Sequence, residues 1–191
     1  MKEKRAQLKE IYTAFDADTR DQVKGCACTR GCSFCCSQAG SIDITTLEGM
    51  AIREVMDKLP KSRQKTLTKA FRKEIKLREA GKAAPCPFLM KNNACMIYED
   101  RPFSCRRIYS AHVCSQDAPP AVSRRVMERA AQTIAALQKL DNTGYSGHLS
   151  YILYMLSVPA FLKTYTAGEF KPEEIMEFGK AHRIVINRMM G

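Results

Sequence analysis

Cysteine placement constrains this chain more than any other feature. Cys28, Cys32, Cys35 and Cys36 are packed into nine residues, with Cys26 just upstream, and Cys86, Cys95, Cys105 and Cys114 follow at intervals of nine, ten and nine. Thiolates are soft ligands that select zinc, Cu(I) or iron–sulfur clusters. Four of them within nine residues can face one centre with little help from the rest of the fold. Cysteines that serve only as small buried hydrophobes occur singly and do not cluster this way. The chain therefore reads as one organised around metal, and Cys28, Cys32, Cys35, Cys36, Cys86, Cys95, Cys105 and Cys114 are its candidate ligands.

The number of cysteines is odd, at nine, and Cys35 adjoins Cys36, which makes a simple disulfide framework awkward. Metal-bound thiolates in a reducing cytoplasm are the better account. The opening Met1-Lys2-Glu3-Lys4-Arg5 leads into a charged amphipathic pattern and not an apolar signal region. The longest apolar stretch, Tyr151 to Leu162, contains Ser157 and Pro159 and is too short to cross a bilayer, so no membrane span is expected. At 191 residues the chain can bury a real core. The pattern divides it into a cysteine-bearing part with an N-terminal helix, 1–118, and a C-terminal helical extension packed on it, 119–191.

The formal charge of +11 counts every cysteine as neutral. Eight bound thiolates and two divalent ions would bring it to about +7, since ligands deprotonate on binding. The dense basic run from Lys58 to Lys82 falls mostly on polar helix faces and reads as solvated surface. Nucleic acid is possible but not the favoured partner: no reader motif, no Trp and no aromatic–basic interleaving are present. A protein or small-molecule partner is left open.

Periodicity predicts a mainly α protein, a small helical domain with two irregular cysteine-rich loops around a metal site. Leu8, Ile11, Tyr12 and Phe15 place a helix over roughly 2–17. Thr45 and Glu48 form a capping box ahead of a helix that Pro60 ends. The next runs to about Ala80, with Leu67 and Phe71 inward and Gly81 as its stop. The segment 83–119 reads as irregular, with a short strand near Met96 to Tyr98. Val122, Val126, Ala130, Ile134 and Leu137 mark another helix, and a further one over 147–163 is disturbed at Pro159. Pro172 opens a last helical turn, with Ile175, Phe178, Val185 and Met189 on one face.

Zinc modules usually offer cysteine pairs two residues apart from each of two knuckles. Only Cys32 and Cys35 have that spacing. A cubane cluster often takes three thiolates from a compact run and one from afar, which Cys28, Cys32 and Cys35 with a ladder cysteine satisfy. Eight thiolates could equally make two four-coordinate centres. His112, beside Cys114, is the nearest histidine and reads as an ordinary imidazole. Ser150, His148 and Asp141 lie close in sequence without an order that would make them a catalytic unit.

Cys28-x3-Cys32-x2-Cys35, with Phe34 before the last cysteine, resembles the cluster motif of radical S-adenosylmethionine enzymes. The surrounding sequence is too helical and too short for their barrel. A second resemblance covers more. Cys28 to Cys36, Ile42-Asp43-Ile44-Thr45, Cys86-Pro87-Phe88-Leu89, and Cys95-Met96-Ile97-Tyr98-Glu99-Asp100-Arg101-Pro102-Phe103-Ser104-Cys105-Arg106 are similar to the YkgJ-type cysteine-cluster family. That family is zinc- or iron-chelating, and flagellin lysine N-methylases carry a similar domain. The resemblance implies Cys28, Cys32, Cys35, Cys36, Cys86, Cys95 and Cys105 as ligands. Three residues separate Cys28 from Cys32 where the family usually has two, which leaves Cys26 as an alternative to Cys28. Cys114 as eighth ligand comes from the ladder alone.

Pro87 and Pro102 fix the backbone beside Cys86 and Cys105. Arg101 and Arg106 are expected to face the cluster and stabilise its negative charge, while Tyr98 is expected to shield it from the core side. The expected cofactor is a [4Fe–4S] cluster, with zinc as the alternative or as a second site. Two other functions stay open: a methylase-like enzyme using S-adenosylmethionine, and a structural zinc module that recruits a partner.

Overall fold

The computed structural model describes residues 1–29, 31–38 and 41–182. The chain is mainly helical: α1 Lys2–Asp18, α2 Arg20–Lys24, α3 Phe34–Ser37, α4 Thr46–Asp57, α5 Lys61–Glu79, α6 Phe103–Arg106, α7 Arg124–Leu140, α8 Leu149–Ser157, α9 Pro159–Thr166 and α10 Ile175–His182. Its two strands, β1 Asp43–Thr45 and β2 Ser146–His148, pair antiparallel with Ile44 opposite Gly147. No described helix is long and apolar enough to cross a membrane.

Local chemistry sets the helix ends. Thr45 and Glu48 close the expected capping box at the start of α4, and Ser123 Oγ accepts the Val126 N–H at the start of α7. Gly81 takes φ +68° just past α5, a conformation open to glycine but strained for other residues. The expected helix over 147–163 is two helices, because Pro159 has no N–H to continue α8 and instead occupies the first turn of α9. Pro172 opens a single 3₁₀ turn before α10. Val185 and Met189 lie outside the described residues.

Two apolar clusters hold the molecule together. In the larger, α4 and α5 pack on α8 and α9 through Ile52, Leu67, Phe71, Ile152, Met155, Leu156 and Phe161. Gly49 allows that approach: a methyl there would meet Ile152 Cγ2 at 2.7 Å and Leu156 Cδ1 at 2.9 Å. In the smaller, Leu8 and Phe15 of α1 meet Leu47, Phe103 and the Val126, Ala130 and Leu137 face of α7. Segments far apart in sequence are thus stitched together, α1 to α7 and β1 to β2.

Two local expectations need correcting. Residues 96–98 form no strand; this loop contributes one isolated bridge, Leu89 to Cys95, while the sheet forms between β1 and β2. Those strands are only three residues each, too short to show a two-residue period. The first of the two cysteine-rich loops is not wholly irregular either, since α3 carries Cys35 and Cys36.

Candidate metal centre

Backbone hydrogen bonds bring the two cysteine blocks together. The Ala27 N–H donates to the Ser110 carbonyl at 2.8 Å, and the Cys86 N–H donates to the Cys36 carbonyl at 2.8 Å. The first tie lays the start of the cysteine run against the segment leading to Cys114. The second lays its end against the ladder's first member. Cys105 is set by α6, which Pro102 begins in an extended conformation, and Ser104 Oγ donates to the Asp43 carbonyl of β1. Cys86, Cys95 and Cys105 all pack on the larger apolar cluster.

The thiols divide into two neighbourhoods. Cys28 feels the charge of Cys26, Cys32 and Cys114, and Cys35 feels Cys114, Cys28, Cys36 and Cys32. Cys105 feels Cys86, Cys36 and Cys95, and Cys86 feels Cys36 and Cys95. An outer set of Cys28, Cys32, Cys35 and Cys114 adjoins an inner set of Cys36, Cys86, Cys95 and Cys105, and Cys36 stands at their junction, feeling Cys95 and Cys32 and acting on Cys35. Cys35 and Cys36 are successive residues of α3, so their side chains leave the helix about 100° apart. Cys26 borders the outer set, with its thiol 3.7 Å from the Cys28 carbonyl.

Burial is the main influence on these thiols, and mutual repulsion adds to it. Cys35 is pushed up to about 11, Cys86 to about 12, and Cys105 well up. Without metal such thiols stay protonated and neutral at pH 7; metal binding would release their protons. Backbone donors work the other way. The Ser110 N–H points at Cys28 Sγ at 3.4 Å, and the amides of Phe88 and Ile97, each two residues past a cysteine, favour thiolate at Cys86 and Cys95. Among the described residues, no three of His, Cys, Asp and Glu stand at metal-coordinating distances. The donor set is grouped, and its soft all-sulfur chemistry suits zinc or iron, but it is not drawn into ligation geometry.

The candidate arginines go separate ways. Arg101 lies with the inner set, where its charge lowers Cys36, Cys95 and Cys105 against the effect of burial. Its guanidinium sits 4.3 Å over the Tyr98 ring and 3.5 Å from the Tyr109 hydroxyl. Arg106 turns to α1: it pairs with Asp16 at 3.3 Å, covers the Tyr12 ring at 4.8 Å and donates to the Arg101 and Glu99 carbonyls. Tyr98 is not a shield on the core side. It is 52% exposed, a surface ring over which Arg101 stacks.

A cavity of about 340 Å³ opens at the outer set, lined by Cys28, Cys32 and Cys114 with Thr29, Gly31 and His112. His112 Nε2 donates to the carbonyls of Ala118 and Pro119, at 3.3 and 3.1 Å, which orients the ring within its own loop. Sequence reasoning missed Ser110, the buried hub of this region. Its hydroxyl accepts the His112 and Ala121 amides at 3.3 Å each, while its own amide serves Cys28. Nothing in Tyr109-Ser110-Ala111 marks that role, because Cys28, Ala27 and Ala121 are brought to Ser110 only by the fold.

A mainly helical frame that gathers eight thiols between its loops defines a cysteine-cluster metal-binding protein. The CxxCxxCC family, described as a "Putative zinc- or iron-chelating domain", matches residues 27–140, well over half the chain, and the chain belongs to that family. The match takes in all eight clustered thiols and ends with α7. No curated protein and no solved structure matches the chain.

Proposed function

We propose that this protein carries two thiolate-held metal centres, a [4Fe–4S] cluster on the outer set and one zinc ion on the inner set. The grouping of the eight thiols into an outer and an inner set, with Cys36 at their junction and its carbonyl bonded to the Cys86 amide, is the observation that carries this reading. The outer set combines three thiols from one compact run with a remote fourth, and a cavity of about 340 Å³ opens at Cys28, Cys32 and Cys114. A single zinc ion with sulfurs at about 2.3 Å would leave no use for such space. The inner set is more buried and packs on the core, and backbone donors stand two residues past Cys86 and Cys95. Those features suit a closed structural ion. With four thiols in the outer set and Cys26 beside it, no coordination position is reserved for S-adenosylmethionine, so binding or electron transfer is favoured over a methylase-like role.

Anaerobic purification with metal and sulfide analysis tests this directly. The expected result is about four iron, four sulfide and one zinc per chain, with absorption from a thiolate-ligated cluster. Two zinc ions and no iron would replace the cluster by a second structural site. Calorimetric binding of S-adenosylmethionine to cluster-loaded protein would restore the enzymatic reading.

A further inference from the structure

Much of the charge of this chain sits on one helix. The nineteen residues of α5 hold eight Lys and Arg against two Glu, which is six of the chain's eleven net positive charges. Their placement is not scattered. At 100° per residue, Lys61, Lys65, Lys69, Arg72, Lys73 and Lys76 fall within about a third of the helix circumference, opposite the buried Leu67, Phe71 and Glu74. All six are exposed, and none has an ion-pair partner among the described residues. Spacings of three and four residues put like charges next to one another along the whole stripe, an arrangement that works against the helix. The one acid on this side, Glu79, stands at its C-terminal end.

We infer that this stripe binds double-stranded nucleic acid along its phosphate backbone, without reading sequence. The stripe is about 22 Å long, at 1.5 Å per residue. A duplex presents one charge per roughly 1.7 Å of axis, enough phosphate to meet every cation. Bases are not engaged, since no large apolar or aromatic side chain of α5 is exposed to stack on them. A membrane surface fits less well, because interfacial helices insert an apolar face, and that of α5 is committed to the core against α8. A protein partner would want apolar anchors that the stripe lacks. This inference is independent of which metal fills the thiol sets.

Fluorescence anisotropy of the full-length, metal-loaded protein tests it, using a labelled 24-base-pair duplex of RNA and the same sequence as DNA. Six phosphate contacts predict that affinity falls about 10³-fold between 50 and 200 mM salt. Replacing three stripe cations (K65Q, K69Q and K73Q together) should reduce that fall to about 40-fold. Removing three exposed lysines elsewhere (K9Q, K139Q and K163Q together) should leave it unchanged. Glutamine keeps helix propensity, and matched circular dichroism confirms the fold. Comparable binding of both duplexes, or a preference for one, supports the inference and identifies the source of the phosphates. No binding at 50 mM salt would overturn it, as would equal losses in the two triple variants. Stripe-dependent binding to phosphatidylserine-containing vesicles but not to either duplex would overturn it in favour of a membrane surface.

Discussion

The Glu48 carboxylate accepts the backbone N–H of Phe103 at 2.9 Å, joining the first turn of α4 to the helix that carries Cys105. The same oxygen accepts the Tyr12 hydroxyl at 2.5 Å, and its companion accepts the Thr45 amide at 2.8 Å. One buried side chain thus closes a capping box, holds α1 and fixes the start of α6. A carboxylate can be buried there because backbone and phenol donors replace the water it gives up. The start of the helix that carries Cys105 is thereby tied to α4 and α1.

Glu48→Ala should therefore cost about 3–5 kcal/mol, since it strands three buried donors at once. Glu48→Gln keeps one acceptor oxygen and should cost about 1–2 kcal/mol. Urea unfolding of the metal-loaded protein provides the comparison. A loss below about 0.5 kcal/mol for the alanine variant would mean that water serves these donors as well as the carboxylate does.

The capping-box half of this arrangement is legible in Thr45-x-x-Glu48, because it depends on residues three apart. The Phe103 half is not, because it depends on a backbone group 55 residues away. The same division runs through the molecule. Helices with a strong 3.6-residue period, such as α1, α5 and α7, stand where Leu8, Phe71 and Val126 place them. The pairing of Asp43–Thr45 with Ser146–His148 leaves no local trace. The clustering of cysteines is plain in the sequence, yet how the first block meets the second needs the Ala27–Ser110 and Cys86–Cys36 backbone bonds to become visible. Arg106 reads as a cluster-facing cation by adjacency to Cys105, but Asp16 and Tyr12 on α1 offer it a carboxylate and a ring.

His148 should govern part of the acid response. It is buried beside Arg78, and burial first, then that charge, lower its pKa from 6.5 to about 3; Glu74 Oε1, 3.6 Å from its Nε2, opposes that shift but is itself paired with Arg78. A depressed folded value means that its stabilising contribution is present above about pH 6.5 and is lost as pH falls toward 3. Between pH 7 and pH 5 the loss amounts to about 2 kcal/mol. Asp141, raised to about 6 mainly by burial, has the opposite sign and gains stability as pH falls through 6. The test is accordingly a difference. His148→Asn can still cap α8, where His148 Nδ1 accepts the Ser150 N–H. Relative to the parent, it should become about 2 kcal/mol more stable at pH 5 than at pH 7. Parallel pH profiles for the two proteins would exclude this role.

Gly144 faces the Asp141 carboxylate so closely that an added methyl would overlap it. That carboxylate cannot turn aside cheaply: Leu47 N–H and the Tyr165 hydroxyl each hold it at 2.7 Å. Gly144→Ala should cost about 2–3 kcal/mol. Once Asp141 is truncated to alanine, the second substitution should cost almost nothing, a non-additivity that a double-mutant cycle would measure. Additive effects would place the strain in the 141–144 turn itself.

The partition of the thiols makes its sharpest prediction at two adjacent residues. Cys35 feels Cys114, Cys28 and Cys32 as well as Cys36, while Cys36 feels Cys95 and Cys32, acts on Cys86 and Cys105, and gives its carbonyl to the Cys86 amide. Under one shared centre, Cys35→Ser and Cys36→Ser would deplete the same metal. Under two centres, Cys35→Ser should lose iron and sulfide while keeping zinc, with little change in melting temperature, because its set lies at an open cavity. Cys36→Ser should lose zinc and melt roughly 10 °C lower, as the 86–105 loop that packs on the larger core comes free. Metal analysis and thermal melting of the two single variants, purified side by side without oxygen, separate these cases. Equal depletion of iron and zinc in both would merge the sets into one site.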